Sequence, residues 1–125
     1  MKKIALVIAS FLLVNSVFAA TQEIKLLNAD GQDKTMQISY QICIGKVSCS
    51  PEHTIQVNGG SSPSVSSIED QFLLITKVVE TENGKEIAST TDQNGICSAW
   101  FGITPRLIFN SYGTQKIFCS DDYGK

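Results

Sequence analysis

Residues 35–44 alternate without a break. Met36, Ile38, Tyr40, Ile42 and Ile44 are apolar or aromatic, and Thr35, Gln37, Ser39, Gln41 and Cys43 stand between them. Successive side chains of a strand point to opposite faces, so this segment predicts one buried face and one wetter face. On a helix the same residues would be scattered around the circumference. A strand with one apolar face must be covered by a second layer, which directs the chain toward packed sheets. Cys43 falls on the wetter face, opposite the isoleucines. That position suits a disulfide pinning the turn at Gly45-Lys46-Val47-Ser48 better than one buried between sheets.

Other strands follow from local signals. Glu23–Leu27 is a short strand ended by the turn residues Asn28-Ala29-Asp30-Gly31. Thr54–Val57 sets Ile55 and Val57 on one face. Phe72–Val79 is almost continuously apolar, as a central strand covered on both faces would be; the alternative, a buried helix, is disfavoured by its shortness and its bounding turns. Asn83-Gly84 tolerates positive φ at both central positions of a type I′ turn. It predicts a hairpin of Phe72–Thr81 with Glu86–Thr90, in which Glu82 faces Lys85 and Val79 faces Ala88. A second hairpin with Tyr112-Gly113 at its tip would set Ile108 against Ile117 and Leu107 against Phe118. Between the hairpins lie the turn Asp92-Gln93-Asn94-Gly95 and the strand Ile96–Phe101. Gly59–Ser67 reads as a flexible loop by composition. The sum is an all-β domain of about eight short strands, a small antiparallel sandwich or a partly open barrel.

The first residues predict export. Met1-Lys2-Lys3 is a basic start, Ile4–Val14 is apolar but for Ser10, and Val17 and Ala19 fit the small-residue cleavage rule. Residues 1–19 are therefore read as a cleaved secretory signal peptide and 20–125 as a single β domain. A membrane span needs about 20 apolar residues, more than this run offers. No cysteine follows the cleavage site, so a lipid anchor there is not expected, nor is a membrane span after cleavage. The expected location is the periplasm or the medium. Removing the leader takes away two lysines and no acidic residue, leaving 106 residues and moving the formal charge from −2 to −4. Without a basic stripe, nucleic acid is a poor partner.

Four cysteines in an oxidising compartment predict two disulfides. Three pairings are open. Cys43–Cys49 and Cys97–Cys119 are preferred because each pair would flank a local turn system. Zinc is disfavoured by the absence of a CxxC pair and of a nearby histidine.

No constellation of catalytic or metal-ligating residues stands out, and no cofactor is implied. His53 is the sole histidine, and Glu52 beside it points to the other face of a strand. A catalytic base needs a nucleophile and an orienting carboxylate, so a surface role for His53 is the simpler reading. Glu69-Asp70 and Asp121-Asp122 read as solvated loop charges. Asp30-Gly31-Gln32-Asp33 and Asp92-Gln93-Asn94-Gly95 lack the full calcium-loop series and are explained by turn chemistry. Trp100 and Phe101 alternate, so one faces outward or lies against the opposite sheet. Core packing beside a disulfide is the simpler role for this pair, and an aromatic platform for a sugar or a protein is the functional one. Tyr112, at an expected hairpin tip with little core to join, is a candidate contact residue together with Trp100.

The alternating strand around Tyr40, the Phe72–Val79 strand and the Cys97/Trp100 segment together resemble an immunoglobulin-like β-sandwich in architecture, without the Cys…Trp…Cys spacing of true immunoglobulin domains. The chain also resembles small exported proteins of Gram-negative bacteria. Fold-level likeness carries no function. The expectation is a non-enzymatic binding or envelope-interaction protein, its partner another exported protein or an envelope or host glycan. The alternatives are an inhibitor of an exported or foreign hydrolase, a pilus-like or surface-fibre subunit, and a small secreted hydrolase using His53.

Overall fold

The computed structural model describes residues 20–45, 48–92, 94–111 and 116–122. Among the described residues ten strands form two sheets, and there is no helix. The smaller sheet holds β1 (Thr21–Asn28), β5 (Ser64–Ile68), β9 (Arg106–Asn110) and β10 (Phe118–Asp122), in the order β10-β9-β1-β5. The larger holds β2 (Lys34–Ile44), β3 (Ser48–Cys49), β4 (His53–Asn58), β6 (Gln71–Glu82), β7 (Lys85–Thr91) and β8 (Cys97–Trp100). In it, β2 and β6 pair at the centre, β3 and β4 flank β2, and β7 and β8 flank β6. The two strands beyond the expected eight are the two-residue β3 and β5. The latter lies largely inside the stretch read as a loop: Val65 turns into the core and gives the segment a reason to pair with β1.

The sheets are antiparallel except where β1 runs parallel to β9. The core between them is built from β1 (Ile24, Leu26), β2 (Met36, Ile38), β6 (Leu73, Ile75, Val78) and β9 (Leu107, Phe109). Met36, Ile38, Tyr40 and Ile42 do share the inner face, the last two half-buried, while Ile44 emerges at the strand end with 55% of its surface exposed. Cys43 is on the opposite face as the alternation requires. Its side chain is nevertheless fully buried, under the bridge to Cys49 and beside its cross-strand neighbour Phe72.

Two bulges alter the expected registers. In β6, Ser39 pairs with Lys77 and Tyr40 with Ile75, so Thr76 is the extra residue. An extra residue reverses which side chains face inward. Leu73 and Ile75 face in before it, and Val78 and Glu80 after it, so the bulge keeps Lys77 in solvent and sends Glu80 into the core. In β7 the extra residue is Ile87. Glu82 pairs with Lys85 as expected around Asn83 (φ 56°) and Gly84 (φ 79°), but Val79 then faces Ser89, not Ala88.

The β9–β10 register also differs from expectation. Ile108 pairs with Ser120 and Leu107 with Asp121, a shift of three residues from the apolar-pair match. Cys119 stands opposite Phe109 on the inner face, from which it reaches across to Cys97 on the other sheet. The expected register would have set Cys119 opposite Arg106, on the outer side. The covalent link between sheets is incompatible with that. Ile117 is buried in the core and Phe118 is exposed, so neither makes the pair foreseen for it. The expected tip, Tyr112-Gly113, lies outside the described residues.

Candidate functional site

The two disulfides join the expected partners. Cys43–Cys49 crosses the β2–β3 hairpin with Cα atoms 4.0 Å apart, and Cys97–Cys119 spans 6.2 Å. The first flanks a local turn. The second does not, contrary to expectation: it straps β8 of the larger sheet to β10 of the smaller one, with all of β9 between them in the chain.

The bridge Cys43–Cys49 opens a lateral row on the outer face of the larger sheet. Cys43 pairs with Phe72 and Phe72 with Trp100, so disulfide and aromatics lie side by side across β3, β2, β6 and β8. The rings of Phe72 and Trp100 are 5.0 Å apart and tilted by 50°. This close, non-parallel contact is favourable for aromatic pairs. Trp100 keeps 45% of its surface exposed, while Phe101 is buried in the core. Core packing therefore describes Phe101, and Trp100 is the outward member of the alternation. The near-continuous apolarity of β6 has the same origin. Among the described residues no second layer covers its outer face, and Phe72, Leu74 and Val79 are half-buried there.

Along β2 and β4 the rest of this face is amide and hydroxyl, while Leu74 and Val79 continue the apolar stripe along β6. The next row is Gln41–Leu74–Ser98. Beyond it Ser39 meets Thr54, Gln37 meets Gln56 and Thr35 meets Asn58. Side-chain hydrogen bonds tie these rows: Ser39 Oγ to Thr54 Oγ1 at 3.2 Å, Thr35 Oγ1 donating to Asn58 Oδ1 at 3.1 Å, and Gln56 Nε2 donating to Asn58 Oδ1 at 3.2 Å. Gln41 Nε2 donates to the Ser50 carbonyl at 3.0 Å. Among the described residues, the charged side chains on this face are Lys77, Glu52 just before β4, and Glu86 at the β7 margin. Glu52 is engaged by the Thr76 hydroxyl at 2.6 Å. The single histidine is elsewhere: His53 stacks on Tyr40 with ring centres 5.6 Å apart. A hollow of about 430 Å³ beside Cys49, lined by Ile42, Ile44, Ser67 and Gln71, has no titratable group among its described residues.

A second polar cluster lies inside the sandwich, and the sequence reading missed it. Glu80 is fully buried, and neither carboxyl oxygen makes a hydrogen bond of good geometry; the group it faces is the Asp30 carboxyl. Burial, reinforced by the neighbouring Asp30 carboxylate, pushes its pKa up to about 7. Burial works against ionised Asp30 too, but the Glu80 carboxyl, the Ser111 N–H and Lys34 outweigh it and hold Asp30 below the ordinary carboxylate value. The Ser111 N–H reaches both Asp30 oxygens, at 3.0 and 3.1 Å. Asn28, also buried, braces the cluster by donating to the Lys34 and Val57 carbonyls. Asp30 is thus more than a turn residue. Asp92 is explained by its turn, accepting from the Asn94 N–H at 2.9 Å. Asp121 and Asp122 belong to β10, not to a loop, whereas Glu69-Asp70 does form the turn between β5 and β6.

Tyr112 lies outside the described residues. Among the described residues no group of three or more histidine, cysteine or acidic side chains is placed to hold a metal ion, and no helix is long and apolar enough to cross a membrane. What the fold defines is a disulfide-strapped, two-sheet β-sandwich. No protein-family model, curated protein or solved structure matches the chain.

Proposed function

We propose that the chain is exported by cleavage of residues 1–19, and that the mature domain is a non-catalytic binding or envelope-interaction module. Its partner is another exported protein or a glycan, held on the outer face of the larger sheet. The observation that carries this reading is the outward placement of Trp100 on strands stiffened by Phe72 and the Cys43–Cys49 bridge. A large exposed aromatic on a rigid sheet offers much contact area with little side-chain entropy to lose. Two disulfides are in keeping with an oxidising compartment.

The test uses the protein exported from its own leader and kept oxidised. It is immobilised, exposed to envelope extract and medium, and compared with a Trp100→Ala variant. A stoichiometric ligand held by the wild type and lost from the variant supports the reading. Retention that ignores Trp100 refutes the assigned face. A hydrolytic activity abolished by His53→Ala, with the fold intact, refutes the non-catalytic role.

A further inference from the structure

We propose that the outer face of the larger sheet binds an extended, uncharged polysaccharide, with Trp100 as its stacking platform. The inference rests on the binding-module reading above and names the partner class. Three properties of the face lead to it.

The first is charge. The chain has 22 acidic and basic residues, yet the strand rows between Cys43 and Gln37 are almost free of them. Lys77 is the one cation among the described residues there, and Glu52 accepts from the hydroxyl of Thr76, the residue before Lys77 in sequence. An acidic polymer or a nucleic acid is held by clustered cations, which this face does not present.

The second is hydrogen-bonding chemistry. Glutamine and asparagine amides each carry donors and an acceptor, and a hydroxyl is both at once. A neutral sugar presents hydroxyls of the same dual character, so Gln37 and Gln56 can donate to and accept from it without desolvating a charge. A face of amides and hydroxyls makes few demands on register, which suits a repeating chain.

The third is shape. Trp100, Phe72 and Leu74 form an apolar corner, and the amides and hydroxyls of β2 and β4 run on from it along the strands, beside the half-buried Val79 of β6. At about 3.4 Å per residue, the six-residue step from Cys43 to Gln37 spans about 20 Å. That is a track for several linked rings, not a socket for one. The weakly polar C–H face of a pyranose ring packs on an indole, and Trp100 is the exposed indole available to it.

The experiment is affinity electrophoresis of the oxidised exported protein through native gels containing mixed-linkage β-glucan, dextran, galactomannan or, as the charged control, alginate. Retardation in at least one neutral gel and none in alginate is expected. Trp100→Ala should weaken the retarding interaction at least about tenfold. The double variant Gln37→Ala/Gln56→Ala should weaken it as well, and Glu23→Gln on the other sheet should leave it unchanged. Trp100 and both glutamines are exposed, so these variants keep the fold, which far-ultraviolet circular dichroism and thermal unfolding check. No retardation in any neutral gel overturns the proposal, as does equal retardation in alginate or binding indifferent to Trp100. If a protein partner is instead captured in a Trp100-dependent manner, the face remains a binding face and the polysaccharide assignment falls. If neither a protein nor a glycan depends on Trp100, both readings fall.

Discussion

Replacing Glu80 by glutamine removes an ionisable group from the core while keeping its shape. The native carboxyl holds its proton up to about pH 7, whereas an unhindered glutamate releases it near 4.5. Between these values the native state binds more protons than the unfolded chain, so stability falls as pH rises. Below 4.5 both states are protonated at this site and the penalty is absent; above 7 it is complete. The separation of the two values corresponds to about 3 kcal/mol at 1.36 kcal/mol per unit. That is a large share of the 5–15 kcal/mol typical of a small domain. Glu80→Gln should therefore match the wild type near pH 4.5 and exceed it by about 3 kcal/mol at pH 8.5. Asp30 has the opposite linkage: its lowered pKa contributes stability above the ordinary carboxylate value, lost as pH falls through the folded one. Keeping measurements at or above pH 4.5 leaves that contribution largely outside the window. The assay is urea unfolding of the oxidised protein at several pH values, with the slope m checked for constancy. Parallel stability curves for the two proteins from pH 4.5 to 8.5 would refute the reasoning, because they would mean that Glu80 ionises as easily in the folded protein as in the unfolded chain.

Other perturbations separate the remaining structural devices. Removing Cys97–Cys119, which closes the longer loop, should cost about 3 kcal/mol, and removing Cys43–Cys49 about 2 kcal/mol, by denaturant unfolding of the paired alanine variants. Gly84→Ala has open space and only the strain of positive φ, and should cost about 1 kcal/mol. Gly59→Ala would drive a methyl group into the Gly31 carbonyl and should cost at least about 3 kcal/mol; equal thermal shifts for the two glycine variants would contradict the packing. The intact mass of the exported protein should correspond to a chain beginning at Ala20, and a mass retaining residues 1–19 would refute the cleavage proposal.

Much of the frame is written locally. The alternation from Met36 to Ile42 survives as the inner face of β2 because one neighbouring layer must cover it. Asn83-Gly84 sets its hairpin because only such residues accept its two positive φ angles. Cys43–Cys49 is inferable from nearness along the chain, whereas Cys97–Cys119 closes between the two sheets and not across a local turn, so nearness gives its partners but not its reason. Periodicity, turn chemistry and short loop closure are properties of a few adjacent residues, and so they can be read without a fold.

What tertiary structure alone decided depends on which surfaces meet. The extra residue at Thr76 changes the phase of β6, and a phase change is invisible in a run where both faces are apolar. It buries Glu80 and leaves Lys77 in water. The strap from Cys97 to Cys119 sets the β9–β10 register against the apolar pairing that β9 and β10 would choose on their own. Trp100 faces out because, among the described residues, no third layer covers β6 and β8, and the amide and hydroxyl rows become one surface because β4, β2, β6 and β8 lie side by side. One strand can declare that it has two faces; only the packing of the second sheet determines which of them meets water.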